Sequence, residues 1–429
     1  MAVVRVASGN FLEMYDFMVF GYYAAGIGRA FFPLQSEYAS LMLSFMTFGT
    51  GYLMRPLGSI VLGAYIDTQG RRKGLLLTFG MMAFGTLAIA CTPGYAAIGM
   101  LAPILVVAAR LVQGLSAGVE VGGASVYLAE IATPGRRGFY TAWQSGSQQV
   151  AVMFAAIIGL ILSKTLRPED MAGWGWRVPL LLGSLMIPFV VIVRRSLQET
   201  DEFLARKHHP KIREIISTVT TNWRLVLLGM MLSTMTTVTF YVITAYMPTY
   251  ASAVLHLSTS TSMWVTLIVG FSNFILVPAG GAASDKFGRR RMLTIFSTLA
   301  LVSAYPVLFW LTMAPSFGRL VIVALWFSLI FGGYNGSMVA LLTEIMPAKI
   351  RASGFSLAFS LATGIFGGFT PAISTYLIQL TGNRAMPGLW VSFAALLGLT
   401  ATLLLSTADQ MSAESAFGTP NGNPAKSNG

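Results

Sequence analysis

A single cysteine, Cys91, stands among 429 residues, so no intrachain disulfide can form and the redox compartment leaves no mark on the chain. Histidine is nearly as scarce: His208, His209 and His256 are the only three, and their expected loop positions provide no metal-ligating constellation. A Gly-x-x-x-x-Gly-Lys-Ser/Thr phosphate loop is missing, so energy for any work must come from a gradient. With no nucleophile, metal cluster or cofactor motif, a membrane enzyme is the least favoured class and no cofactor is expected. Charge is short as well. Only 10% of residues are charged and 55% are hydrophobic, where soluble domains carry about 25% charged residues. The solvent of such a chain is lipid.

Apolar stretches of at least ~18 residues recur, long enough to cross a hydrocarbon core of about 30 Å as helices, which satisfy their backbone groups without water. Twelve crossings are expected, six on each side of a polar stretch. The first six run near Phe11 to Phe31, Ser40 to Ile66, Gly74 to Cys91, Ile98 to Tyr127, Tyr140 to Leu162 and Val178 to Val193. The last six run near Trp223 to Tyr250, Met263 to Ser284, Met292 to Met313, Leu320 to Leu342, Gly354 to Leu380 and Leu389 to Ser406. The fold class is therefore an all-α membrane protein of two six-helix bundles. Residues 1–193 form the first, 194–222 a linker with an interfacial helix around Glu199 to Lys207, and 223–406 the second. Residues 407–429, rich in Gly, Pro, Asn and Ser, are expected to be a disordered tail. Glu13 and Asp16 near the start of the first apolar segment, and its length, read as a retained helix rather than a cleaved signal.

The net charge of +12 is not a nucleic-acid signature, because the charges follow the membrane. With both termini cytoplasmic, 19 basic residues fall on the cytoplasmic side. Only six (Arg29, Lys164, Arg167, Arg177, Arg319 and Arg384) fall on the other. That asymmetry is the positive-inside pattern and predicts N-in, C-in topology.

The halves repeat each other. Gly63-Ala-Tyr-Ile-Asp67-Thr-Gln-Gly70-Arg71-Arg72-Lys73 returns as Gly281-Ala-Ala-Ser-Asp285-Lys-Phe-Gly288-Arg289-Arg290-Arg291 at identical spacing. Glu130 with Arg137 recurs as Glu344 with Arg351, again equally spaced. An internal duplication explains both, and a transporter built from two related bundles binds its substrate between them near the midplane. In each loop a Gly permits close approach, the Asp can cap a helix or pair with Arg, and the basic cluster stays outside the bilayer. Two readings stand: an ion-paired latch that breaks during alternating access, using Asp67, Arg71, Glu130, Arg137, Asp285, Arg289, Glu344 and Arg351, or a topology anchor with a tight turn.

The paired loops resemble the major facilitator signature. Gly9-Asn10-Phe-Leu-Glu13-Met-Tyr-Asp16-Phe, Arg55-Pro56-Leu-Gly58 and Arg110-Leu-Val-Gln113-Gly114-Leu-Ser-Ala-Gly118-Val-Glu120 resemble its metabolite:proton symporter branch. Ser125-Val-Tyr127-Leu-Ala-Glu130-Ile-Ala-Thr-Pro134 and Tyr140-Thr-Ala-Trp143-Gln144-Ser-Gly-Ser147-Gln148-Gln149 are most similar to bacterial citrate-proton symporters. The resemblance extends from about Arg5 to Ser406. It implies a monomeric inner-membrane carrier importing citrate, or tricarballylate, isocitrate or another di- or tricarboxylate, with a coupling proton. Sodium stays open as the coupling ion.

Arg110 lies near the middle of the fourth span, where a cation costs at least ~2.5 kcal/mol unless paired or facing water. Its planar fork suits a carboxylate; the alternative is a permanent acid partner, with Gly114, Gly118 and Gly122 packing the helix. Gln144, Ser147 and Gln148 share one face of the fifth span and can donate to carboxylate or hydroxyl oxygens. Thr237, Tyr241, Asn273, Tyr334, Asn335, Ser356 and Ser360 lie at comparable depth in the second half, and interhelical hydrogen bonds would account for any one of them equally well. Among these, Tyr241, Tyr334 and Asn335 join Arg110 and the fifth-span face as substrate candidates. Glu13, Asp16 and Glu120 are acids inside spans: either they titrate and couple solute movement to an ion gradient, or they are fixed partners of Arg55. A channel would also place polar groups inside a bundle, but the twofold repeat favours alternating access; a midplane Arg opposes the cationic cargo of a drug:proton antiporter.

Overall fold

The computed structural model describes residues 2–69, 71–118, 120–185, 217, 220–347 and 351–405, and among them it is helical with no strand. We number the membrane crossings α1 to α12. In the first half, α1 is Ala2–Tyr22 continued by Ala24–Phe31, and α2 is Glu37–Leu53 continued by Arg55–Gln69. Then follow α3 (Arg71–Cys91), α4 (Leu101–Ala117 continued by Glu120–Glu130) and α5 (Arg137–Thr165); α6 is described over 177–185. In the second half, α7 spans Trp223–Val254, α8 Thr259–Phe287, α9 Arg289–Met313, α10 Phe317–Ile345, α11 Arg351–Thr381 and α12 Met386–Leu404. Eight of the described helices, α4, α5 and α7 to α12, are long and apolar enough to cross a membrane outright. The remaining crossings are those broken by a turn at Tyr23 or Met54, the shorter apolar stretch Leu76–Cys91 of α3, and α6, which leaves the described residues. The expected linker, apart from residues near 217–222, and the tail lie outside them.

Local chemistry sets the helix ends. Ser258 accepts a hydrogen bond from the Thr261 N–H at 3.1 Å and Ser316 from the Arg319 N–H at 3.3 Å, each capping a helix start. Gly288, the last glycine of the repeated motif, takes φ of +91° between α8 and α9, a conformation that a side chain resists. In α7 the wide-turn segment Val242–Tyr246 precedes Met247-Pro248, where the missing proline N–H removes one rung of the helix ladder. A similar segment, Thr363–Gly367, interrupts α11 shortly before Pro371.

Small residues let the helices close on each other. The glycine strip of α4 packs against α2: a Cβ on Gly114 would stand 1.5 Å from the Gly51 carbonyl oxygen, and one on Gly118 would stand 2.2 Å from that of Arg55. Gly122 continues the strip toward α11, against Ser356 and Ala352. Packing therefore accounts for these glycines. Gly114→Ala should destabilise the protein by about 1–3 kcal/mol or more, read as a lower melting temperature in detergent. Gly80→Ala, whose Cβ meets nothing within 4 Å, should not lower melting.

The two halves meet along α5 and α8, α2 and α11, and α1 and α7. Gly138 abuts Gly281 at the end carrying the repeated loops, and Gly159 abuts Met263 toward the other end. Between them Gly21 faces Ala245 and Tyr52 faces Gly364 and Gly368. The halves thus touch at both ends. Large apolar side chains such as Phe84, Phe271, Val302 and Ile322 remain exposed on the outer surface, as a lipid-facing belt requires.

Candidate functional site

Four charged side chains of described residues are buried inside the first half, two cations and two acids: Arg55, Arg110, Glu13 and Asp16. Arg55 begins the second segment of α2, and its Nη2 bonds Glu13 Oε1 of α1 at 2.5 Å. The Arg55 guanidinium also lies over the rings of Tyr52 and Phe17, 4.6 and 4.9 Å from their centroids, which offsets part of the cost of a buried cation. Its Nε has no hydrogen-bond partner among the described residues.

Arg110 sits deeper. It is fully buried and lies against the rings of Phe20, Phe17 and Phe48, at 4.4, 4.5 and 5.4 Å from their centroids. Its Nη1 donates to Gln113 Oε1 at 2.9 Å; Gln113 Nε2 donates to Thr86 Oγ1 at 2.8 Å; and the Thr86 hydroxyl donates to Asp16 Oδ2. This buried chain joins α4, α3 and α1 and runs from a cation to an anion, each donor satisfied by the next acceptor. Asp16 ends it. Its Oδ1, next to Gly183 of α6, has no hydrogen-bond partner, and Asp16 makes no ion pair among the described residues.

A narrow cavity lies between the halves. Arg55 and Met14 line it from the first half together with Ser145 and Gln148 of α5; Thr236, Thr237, Phe240 and Tyr241 of α7, Phe331 and Phe359 close it from the second. Of the expected substrate residues, Gln148 and Tyr241 are brought to this cavity. Arg110 is not: Phe17, Phe20 and Phe48 enclose it, and Arg55 is the cation that reaches the space between the bundles. Gln144 is buried and accepts from the Ser145 hydroxyl at 2.8 Å, while Ser147 donates to the Gln144 carbonyl at 3.0 Å. Tyr334 donates to the Leu232 carbonyl at 3.1 Å within the second half. Asn335 is fully buried with neither amide atom bonded among the described residues, and Asn273 donates to Gln149 Oε1 across the interface at 3.4 Å. The side chains of Glu120, Asp67 and Arg71 lie outside the described residues.

Sequence reasoning treated Arg55 as a partner for acids and passed over Thr86, Gln113, Ser145 and Thr236. Arg55 carried a usable signal, a cation inside an apolar span.

At the end bearing the repeated loops, Asp285 of α8 caps the start of α5. Its two carboxylate oxygens accept from the backbone N–H groups of Gly138 at 2.8 Å and Phe139 at 3.0 Å, a favourable place for an anion. Arg289 binds Asp285 at 2.6 Å and Glu344 at 3.3 Å. Charges also interact across the halves: Arg137 feels the charge of Glu344, and Arg351 that of Glu130. Opening this end would break the Asp285 cap. Asp285→Asn should weaken closure by about 1–3 kcal/mol, seen as a longer spin-label distance between the adjoining ends of α5 and α8; an unchanged distance distribution would limit Asp285 to shaping its turn.

Two helical bundles touching at both ends, with a cavity between them that a single buried cation, Arg55, reaches from the first half, have the build of a transporter of the alternating-access type. The chain matches the model of the sugar (and other) transporter family over residues 1–214 and 205–409 and belongs to that family of major facilitators, as a carrier and not an enzyme. The citrate-proton symporter of Salmonella typhi is 59% identical over 404 residues, 94% of this chain and 93% of that protein. The alpha-ketoglutarate permease of Escherichia coli is 33% identical over 94% of this chain and 93% of its own length. Among solved structures, the D-xylose-proton symporter superposes with a TM-score of 0.74 at 18% identity, covering 94% of this chain and 95% of that one, a likeness of fold.

Proposed function

We propose that the protein imports citrate, or a close tricarboxylate, together with a proton, working as a monomer in a bacterial inner membrane with both termini cytoplasmic. The observation that carries this reading is Arg55, a cation held at the wall of the inter-bundle cavity opposite neutral donors. Citrate-proton symporters at 59% and 57% identity support it, and so does the chemistry shared with the alpha-ketoglutarate permease and the more distant proline/betaine transporters, whose substrates all bear a carboxylate.

Charge balance argues for cotransport. Arg55 and Arg110 are matched by Glu13 and Asp16, so each carboxylate that enters leaves an uncompensated negative charge in a medium of low dielectric. A cotransported proton offsets one such charge. Asp16 is the residue we assign to carry that proton, because no cation pairs with it and one of its oxygens is unbonded among the described residues. Glu13 shares Arg55 with the incoming carboxylate, and Glu120 is a further acid on α4. The Asp285 cap on α5, with the charges that interact across the halves around it, then acts as the cytoplasmic latch, opening and closing as the halves rock.

Uptake of labelled citrate into proteoliposomes under separately imposed proton and sodium gradients tests the reading. Accumulation driven by an inward proton gradient alone is the expected result. Accumulation driven only by sodium would replace the coupling ion, and leak without saturation or counterflow would favour a channel.

A further inference from the structure

Thr236 and Thr239 differ from the other threonines around them in having buried hydroxyls with no hydrogen-bond partner among the described residues, and of the two it is Thr236 that lines the cavity. In a membrane helix a threonine hydroxyl ordinarily donates to a carbonyl one turn back, and Thr234 does so to Met230 at 2.8 Å, Thr237 to Thr234 at 3.2 Å and Thr244 to Phe240 at 2.6 Å. Thr236 is 4% exposed and its hydroxyl has no hydrogen-bond partner among the described residues. It lines the cavity with Arg55, Ser145 and Gln148. A buried hydroxyl left unbonded costs about 1–3 kcal/mol, a cost that a ligand group able both to donate and to accept would remove.

On the α5 side the polar groups divide. The Ser145 hydroxyl is committed to Gln144, and Gln149 Nε2 donates to the Ser145 carbonyl at 3.3 Å. Gln148 is the amide of this face that reaches the cavity. The first half therefore offers a cation for a carboxylate and the Gln148 amide beside it, and the second half the Thr236 hydroxyl, the amide and the hydroxyl each both donor and acceptor. An alcohol group carried next to a carboxylate fits that pairing: the carboxylate faces Arg55, and the alcohol donates to one of Thr236 and Gln148 while accepting from the other.

We propose that Thr236 and Gln148 form a hydroxyl subsite, so that the transporter selects hydroxy-carboxylates over carboxylates of the same skeleton without the hydroxyl. This rests on the carboxylate-carrier reading above and narrows it: citrate is preferred to tricarballylate, which differs by that one group. A site built to bond a substrate hydroxyl rejects the analogue lacking it, because its own polar groups are then left unpaired.

Equilibrium binding of citrate and of tricarballylate to the purified full chain tests the subsite, with wild type, Thr236→Val, Thr236→Ser and Gln148→Leu compared. The expected wild-type preference for citrate is about tenfold or more. Thr236→Val, nearly the same shape without the hydroxyl, should bring the ratio close to one by weakening citrate while leaving tricarballylate unchanged. Gln148→Leu should act in the same direction, and Thr236→Ser should keep the preference, which a purely structural role for Thr236 would not require. Equal wild-type affinities, a preference that survives Thr236→Val, or equal weakening of both acids would each overturn the subsite while leaving the carboxylate reading intact. Binding of neither acid to folded wild-type protein would remove both.

Discussion

Citrate binding should fall below detection in Arg55→Ala. Truncating one partner of a buried, hydrogen-bonded charge pair costs about 2–5 kcal/mol, more than a tenfold loss of affinity. Arg55→Lys should recover only part, because lysine keeps the charge but loses the planar fork that matches a carboxylate. Removing Arg55 also strands Glu13, whose Oε1 it binds at 2.5 Å. The double variant Arg55→Ala, Glu13→Gln therefore serves as the control: it removes the stranded charge, should fold as stably as wild type, and still should not bind. Binding titrations on folded, detergent-purified protein read all three. Citrate binding that survives Arg55→Lys unchanged but disappears in Arg110→Lys would move the anchor to Arg110.

Asp16→Asn should separate exchange from accumulation. With no proton taken up or released at Asp16, counterflow of loaded carriers continues, whereas internal citrate should rise only to the external concentration under an imposed proton gradient. Thr86→Val removes the donor to Asp16 Oδ2 and breaks the chain to Gln113 and Arg110. It should lower accumulation with a smaller effect on counterflow, and Thr86→Ser should restore it. Concentrative uptake at the wild-type level in Asp16→Asn would exclude Asp16 as the coupling group, and Glu13 and Glu120 would be examined next by the same assay.

Patterns that are local in sequence were legible before the structure. Twelve apolar runs announced the crossings, and the motif Gly281, Asp285, Gly288, Arg289 was readable as close approach, cap, turn and ion pair because each role needs only neighbours at fixed spacing. The partner of the cap was not readable, since Gly138 lies 147 residues from Asp285. Nor was the interaction of acid and arginine across the halves, because equal spacing within each half is just as compatible with pairing inside it. Arg110 shows the limit most clearly. Its depth in the bilayer followed from position along α4, but it packs against three rings from α1 and α2 rather than lining the cavity, and nothing in the local sequence of α4 reports them. Thr86 and Gln113 were passed over because a single neutral polar residue in an apolar helix is ordinary. Their meaning comes from meeting across three helices.

The most direct test of the proposed carboxylate site is an experimental structure of the full chain with citrate bound, in a lipid nanodisc. A citrate carboxylate within ~3 Å of the Arg55 guanidinium, with the rest of the molecule between Gln148 and Thr236, is the expected result. Citrate held on Arg110 behind parted Phe17, Phe20 and Phe48 rings with Arg55 still closed on Glu13, or bound outside the space between the two bundles, would contradict it.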